Sequence, residues 1–245
     1  MNPSIAVATA RRVLWQLRRD PRTVALLLAV PCVLVTLLRY VLDGQPESFQ
    51  RVGVPMLGLF PFITMFLTTS ITMLRERTTG TLERLMTLPL AKLDLLAGYA
   101  LAFALVGIAQ AVLVCALGFG LLDLESEHAF WIVAALAVAN GLLGMALGLF
   151  LSAFATTEFQ AVQFMPAFVL PQLLLCGLFV PREDMARALE VASYVLPLTY
   201  AYDALERVAS PEDLGGRLAL DVAVVTGCFV LALVLGALTL RRRTP

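Results

Sequence analysis

The sequence predicts an all-α membrane protein. It has six transmembrane helices, an N-terminal interfacial amphipathic helix, and a broken re-entrant segment between helices 5 and 6. Three observations carry this. Of 245 residues, 60% are hydrophobic and only 15% are charged, whereas soluble domains hold about 45–50% apolar and about 25% charged residues. The mean hydropathy is +0.86, so lipid must be the solvent for most of the chain. Apolar stretches near the roughly 20 residues needed to cross hydrocarbon recur six times along it.

Taken in order, residues 4–19 come first. Ala10, Val13, Leu14 and Leu17 recur on one helical face, Arg12, Gln16 and Arg19 lie opposite, and Trp15 suits a membrane interface. The spans follow at about 23–42, 52–74, 93–122, 129–152, 160–180 and 217–240. Pro166 and Pro171 should bend the fifth. The first is too long for a signal-peptide core and follows five arginines, which predicts an uncleaved anchor. The segment 181–216 is neither span nor simple loop. A short helix is expected near 184–195, Pro197 should break it, and another turn or two can follow. The run 192–202 is too apolar for water, so it must pack on the spans or re-enter the membrane.

Charge sets the orientation. Arg11, Arg12, Arg18, Arg19 and Arg22 precede the first span. Arg75, Arg77, Arg84 and Lys92 lie between the second and third, and Arg241, Arg242 and Arg243 follow the sixth. These are twelve of the eighteen basic residues. Arg39 and Arg51 fall on the first outer loop and Arg182, Arg187, Arg207 and Arg217 on the last. The positive-inside rule then places both termini and the 75–92 insert in the cytoplasm.

Composition also excludes functions. Net charge is zero, which gives no case for nucleic acid. Cys32, Cys115, Cys176 and Cys228 are solitary, and the single histidine, His128, lies in an acidic loop where it is expected to be solvated. Neither a metal site nor a redox motif is supported. No Ser/His/Asp set or nucleotide-binding loop is present, so the chain is not read as an enzyme.

The insert RERTTGTLERLMTLPL at 75–90 is compact and charged. Arg75, Glu76 and Arg77 should extend the second span's helix, Gly80 permits a sharp turn, and a short helix can run from Thr81 until Pro89 ends it. Leu82, Leu85 and Met86 share a face of a helix too short to stand alone in water. It must pack on the bilayer or in a partner's groove.

The pattern R-E-R-x-x-G-T-L-E-R-L-x-x-L-P after the second span resembles the permease subunits of ABC-2 type exporters, most closely the daunorubicin-resistance-like branch. GLFVPREDM followed by LPLTYAYDAL is similar to that family's region between the fifth and sixth spans, and the amphipathic N-terminus to its interfacial helix. The resemblance implies one ABC-2 transmembrane domain over 1–245, in a bacterial cell (plasma or inner) membrane. It implies a homodimer working with a separate ABC ATP-binding subunit, two permeases to two ATPases, with ATP and magnesium held by the partner and no cofactor here. Carried over, Arg75, Glu76, Gly80, Thr81, Leu82, Glu83 and Leu85 would couple the ATPase to the spans. Thr68, Gln163, Phe164 and Gln172 would line the substrate pathway, and Gly177, Pro181 and Pro197 would form an external gate.

No acidic or basic residue lies near the middle of a span. That argues against proton-driven antiport and suits a machine powered from outside the membrane. The implied cargo is hydrophobic or amphipathic, drug-like or lipid, as in drug export and antibiotic resistance. A polysaccharide or glycolipid cargo stays open, as does a non-transporting anchor that recruits a cytoplasmic protein. For each polar residue within a span, plain interhelical hydrogen bonding is an equal alternative to a pathway role. Gly144 and Gly148, with Gly141 a turn earlier, read as a tight packing face inside the subunit rather than a dimer seam.

Overall fold

The computed structural model describes residues 3–81, 92–126, 128–210 and 215–239. Helix is the dominant structure among them, and they contain no strand. In chain order, α1 spans Pro3–Arg19, α2 Pro21–Val41, α3 Pro46–Thr78, α4 Lys92–Leu121 and α5 Phe130–Leu151. Next come α6 (Glu158–Phe164), a π-helical turn (Met165–Val169) and α7 (Leu170–Leu175), then α8 (Arg187–Ser193), α9 (Pro197–Ala209) and α10 (Gly215–Thr239). Five of these helices, α2, α3, α4, α5 and α10, are long and apolar enough to cross a membrane.

The expected fifth span, 160–180, is instead the composite of α6, the π turn and α7, and its helix stops at Leu175. Pro166 falls inside the π turn. A proline has no amide hydrogen to close an α-turn, so widening the turn absorbs it. The second span is longer than 52–74, because Pro46 opens α3 and Arg75–Thr78 extend it, as expected for the charged residues. Arg39 and Arg51 therefore sit on α2 and α3 rather than on a loop. Pro197 does not merely break a helix. It occupies the first turn of α9, where its missing amide hydrogen costs nothing, and the helix it opens runs for thirteen residues rather than a turn or two.

At the centre α3 packs along α5. Lipid is as apolar as leucine, so close helix contact depends on small residues and on hydrogen bonds rather than on a hydrophobic drive. A Cβ at Gly144 would overlap the Phe62 carbonyl, and one at Gly148 would overlap the Phe66 carbonyl and the Thr69 hydroxyl. The small-residue face thus serves packing within the chain. The Thr69 hydroxyl lies 2.7 Å from the Met65 carbonyl oxygen of its own helix and 3.2 Å from that of Met145 across the seam. Gln110 on α4 donates to the Leu27 carbonyl at 2.5 Å and to Thr64 Oγ1 at 2.8 Å, joining α2, α3 and α4.

The amphipathic α1 lies against α4 over Gly98, where an added Cβ would meet Thr9 and the Ala6 carbonyl. Ala10 and Val13 are buried there beside Leu95, Tyr99 and Phe103, with Leu14 and Leu17 partly buried. Trp15 is half exposed under the Arg18 guanidinium. At the opposite end α9 is sunk among α3, α5 and α10, burying Leu198, Tyr202, Leu205 and Val208. Packing on the spans thus buries the later part of the 192–202 run, while Tyr194 and Val195 stay exposed. Asn140 on α5 donates to the Ala201 carbonyl at 3.3 Å, and Gly58 on α3 leaves room for both Asn140 and Leu205.

Candidate functional site

The chemistry gathers at the end of α3 that α1 flanks. α3 continues in helix through the charged residues because nothing in Arg75–Thr78 breaks it. The chain then turns at Gly80, whose φ of +70° is readily adopted only without a side chain. Consecutive residues on this last stretch reach different neighbours. Arg75 donates to Glu158 of α6 through Nε at 2.8 Å and Nη2 at 3.1 Å, a two-pronged ion pair. Glu76 turns inward and is only 8% exposed. Its Oε1 accepts from Gln16 Nε2 at 3.3 Å, and its Oε2 lies 3.5 Å from Arg12 Nη1. Arg12 also donates to the Tyr99 hydroxyl and stacks over that ring.

This network corrects one reading of α1. Arg12 and Gln16 do not face away from the protein, because the carboxylate of Glu76 draws them in. A solitary buried carboxylate would be costly, and the guanidinium and amide compensate it. Sequence periodicity counts both as polar and cannot show that a partner waits 60 residues away. Glu158 was missed for the same reason: the only sequence signal was its place beside a span terminus.

Between α1 and α3 lies a cleft of about 250 Å³ lined by Val13, Gln16, Asp20, Thr68, Thr72 and Glu76, among others. Asp20 lies at its rim and caps α2, accepting from the Thr23 amide at 3.2 Å and the Thr23 hydroxyl at 2.6 Å. Those bonds hold its carboxyl below the usual pKa. Arg75 does the same for Glu158.

The sequence-derived site residues fall in several places. Arg75, Glu76, Gly80 and Thr81 cluster at this end, whereas Leu82, Glu83 and Leu85 lie outside the described residues. Thr68 lines the cleft. Phe164 packs beside Leu74, Ala155 and Ala161, and Gln163 is exposed on α6. Gln172 is buried at the opposite end, donating to the Phe168 carbonyl at 2.9 Å and accepting from the Leu198 amide at 3.4 Å. Gly177, with φ of +106°, sits against the Tyr202 ring. Pro181 precedes the short turn Arg182–Asp184, and Pro197 begins α9. So Gln172, Gly177 and Pro197 meet around the start of α9, far along the fifth span from Phe164.

Two further ion pairs tie α9 down: Arg182 to Asp203 at 2.7 Å and Arg207 to Asp221 at 3.1 Å. Burial pushes the Asp203 carboxyl up to about 6 despite Arg182. His128 is not simply solvated. Its Nδ1 lies 3.1 Å from the Val208 carbonyl oxygen near the C-terminus of α9, a terminus whose free carbonyls attract a donor. Among the described residues no group of three His, Cys, Asp or Glu side chains could hold a metal ion.

Comparison with known proteins adds to this geometry. The model of the ABC-2 type transporter family matches residues 5–208. The protein named "Probable multidrug ABC transporter permease YbhR", from Escherichia coli (strain K12), is 26% identical over 153 residues, which make up 62% of this chain and 42% of that protein. YbhR of Escherichia coli O157:H7 matches to the same extent. The match thus spans about two fifths of the length of these curated relatives.

Proposed function

Because the chain belongs to the ABC-2 type transporter family, as a multi-pass membrane permease, we propose that it moves a hydrophobic or amphipathic compound outward, driven by ATP. The ATP is hydrolysed by a separate ABC ATP-binding subunit that docks at the α3 end carrying Arg75 and Glu76. Two permease copies and two ATPases form the working unit, in a bacterial inner membrane with both termini cytoplasmic. The chain itself supplies no catalytic group. It binds cargo, shields it from lipid and changes shape.

One observation carries this reading. The last helical turn of α3 is tied by charged side chains to α1 through Glu76 and to the fifth span through Arg75. A push on the segment after Thr81 would therefore reach two other helices at once. The exposed Arg75–Glu158 pair suits force transmission better than it suits stability, because an exposed ion pair contributes only about 0.2–1 kcal/mol. The resemblance to a multidrug permease favours a drug-like cargo.

The test is purification of the tagged chain from its native membrane in mild detergent, with co-purifying proteins identified by mass spectrometry. An ABC ATPase at near-equal amounts is expected. Its absence, even with ATP and crosslinker present, would overturn the reading in favour of an anchor for another protein. Within the complex, Glu83→Arg should uncouple ATP hydrolysis from export while leaving the permease inserted. Unchanged export by that variant would remove the docking role of the insert.

A further inference from the structure

We propose that Glu158 is a positioning residue of the transport cycle: through its ion pair with Arg75 it carries displacement of the α3 end into the fifth span, which pivots at its π turn. This rests on the proposed function, because it needs an ATPase acting on that end of α3.

Several observations converge. The contact is two-pronged and joins residues 83 positions apart, with both side chains more than half exposed at 59% and 53%. An exposed pair of this kind adds little to stability, so folding alone gives it no purpose. Beside it Leu74, Ala155 and Ala161 are buried together with Ile71 and Phe164 packed on them, so α3 and α6 are in packed contact at this end. The first turn of α6, which carries Glu158, is capped by its neighbours. Thr157 Oγ1 accepts from the Gln160 amide at 3.2 Å, and Gln160 Oε1 accepts from the Thr156 amide at 2.9 Å and its hydroxyl at 2.8 Å. A carboxylate in the first turn is also favoured by the helix dipole.

Beyond Phe164 the backbone changes. Met165–Val169 is π-helical and contains Pro166. Single π turns inside helices are rare and recur at functional sites. The far segment α7 is anchored differently, by Gln172 to the α9 amide of Leu198. The fifth span thus has one half fastened to the driven end of α3, the other half fastened to α9, and a pliable turn between. Displacement at Glu158 changes the angle between the halves.

The test uses the reconstituted complex of permease and co-purifying ATPase. Spin labels at Leu174→Cys on α7 and Tyr40→Cys on α2, both exposed, report the distance between the ends. Cys32, Cys115, Cys176 and Cys228 are replaced by alanine, and labelled copies are diluted with unlabelled ones. ATP should move the wild-type population to a second distance. Glu158→Gln and Glu158→Arg should lower the equilibrium constant for that shift by about two- to five-fold, the range an exposed pair can carry. Glu158→Asp should keep most of it, and ATPase co-purification should be the same in all. A residue of merely structural value would alter thermal stability and leave the ATP-dependent population alone. If ATPase is bound and the Gln and Arg variants shift like wild type, or if ATP moves nothing in the wild type, the inference is overturned. Absence of any co-purifying ATPase would instead sink the exporter reading itself.

Discussion

Gly144→Ala should destabilise the protein even though alanine is the better helix former. At this position an added Cβ would overlap the Phe62 carbonyl oxygen and lie 2.9 Å from its carbon and 3.0 Å from the Phe62 Cα. These are backbone atoms of the neighbouring helix and cannot rotate aside. Restoring ordinary contact would require α3 and α5 to part by about one ångström, and overpacking of this kind costs about 1–3 kcal/mol. Parting the helices would also strain the Thr69 bond to the Met145 carbonyl. Against this stands the gain from replacing glycine within a helix, about 0.5–1 kcal/mol. The net expectation is a loss on the order of 1–2 kcal/mol. For a chain of this size that corresponds to a fall of about 2–8 °C in the unfolding midpoint. Gly227 on α10 is the control, because nothing lies within 4 Å of its added Cβ. Gly227→Ala should hold or raise the midpoint. The assay is thermal unfolding of the purified chain in one mild detergent, read as the monodisperse fraction after heating. If Gly144→Ala matched Gly227→Ala, the close seam between α3 and α5 would be refuted.

Two further outcomes follow from the charged networks. Arg12→Ala leaves the buried Glu76 without its guanidinium, at a cost of about 1–3 kcal/mol, and should loosen α1. Trypsin should then cut faster after Arg11, Arg18 and Arg19, and an unchanged cleavage rate would show that α1 is held by its apolar face alone. At the other end, burial raises the Asp203 carboxyl to about 6 from 3.8, so the folded state binds this proton more tightly than the unfolded chain does. Its contribution is full below pH 4 and is lost as pH rises through about 6, a change on the order of 2–3 kcal/mol. Asp203→Asn should abolish that part of the pH dependence of thermal stability, and a variant with the wild-type profile between pH 4 and 7 would assign the dependence elsewhere.

The helices of this protein were legible in the sequence because their cause is local. Apolar length near 20 residues makes a span, a polar-apolar period makes α1, and a charged stretch without a breaker lets α3 run on through Thr78. The glycine face of α5 could be assigned to packing for a similar reason, since small residues at helical spacing invite close approach. What pairs with what was not legible. That Glu76 gathers Arg12 and Gln16, that Arg75 reaches Glu158, and that Gln172 holds the start of α9 depends on where distant segments arrive in space. A charged residue near a span terminus satisfies the membrane equally well with or without a partner, so topology rules are silent about it. The π turn in the fifth span was hidden for another reason. Pro166 announces that the α-helical ladder must fail there, but whether the helix kinks, breaks or widens is decided by what packs on either side of it.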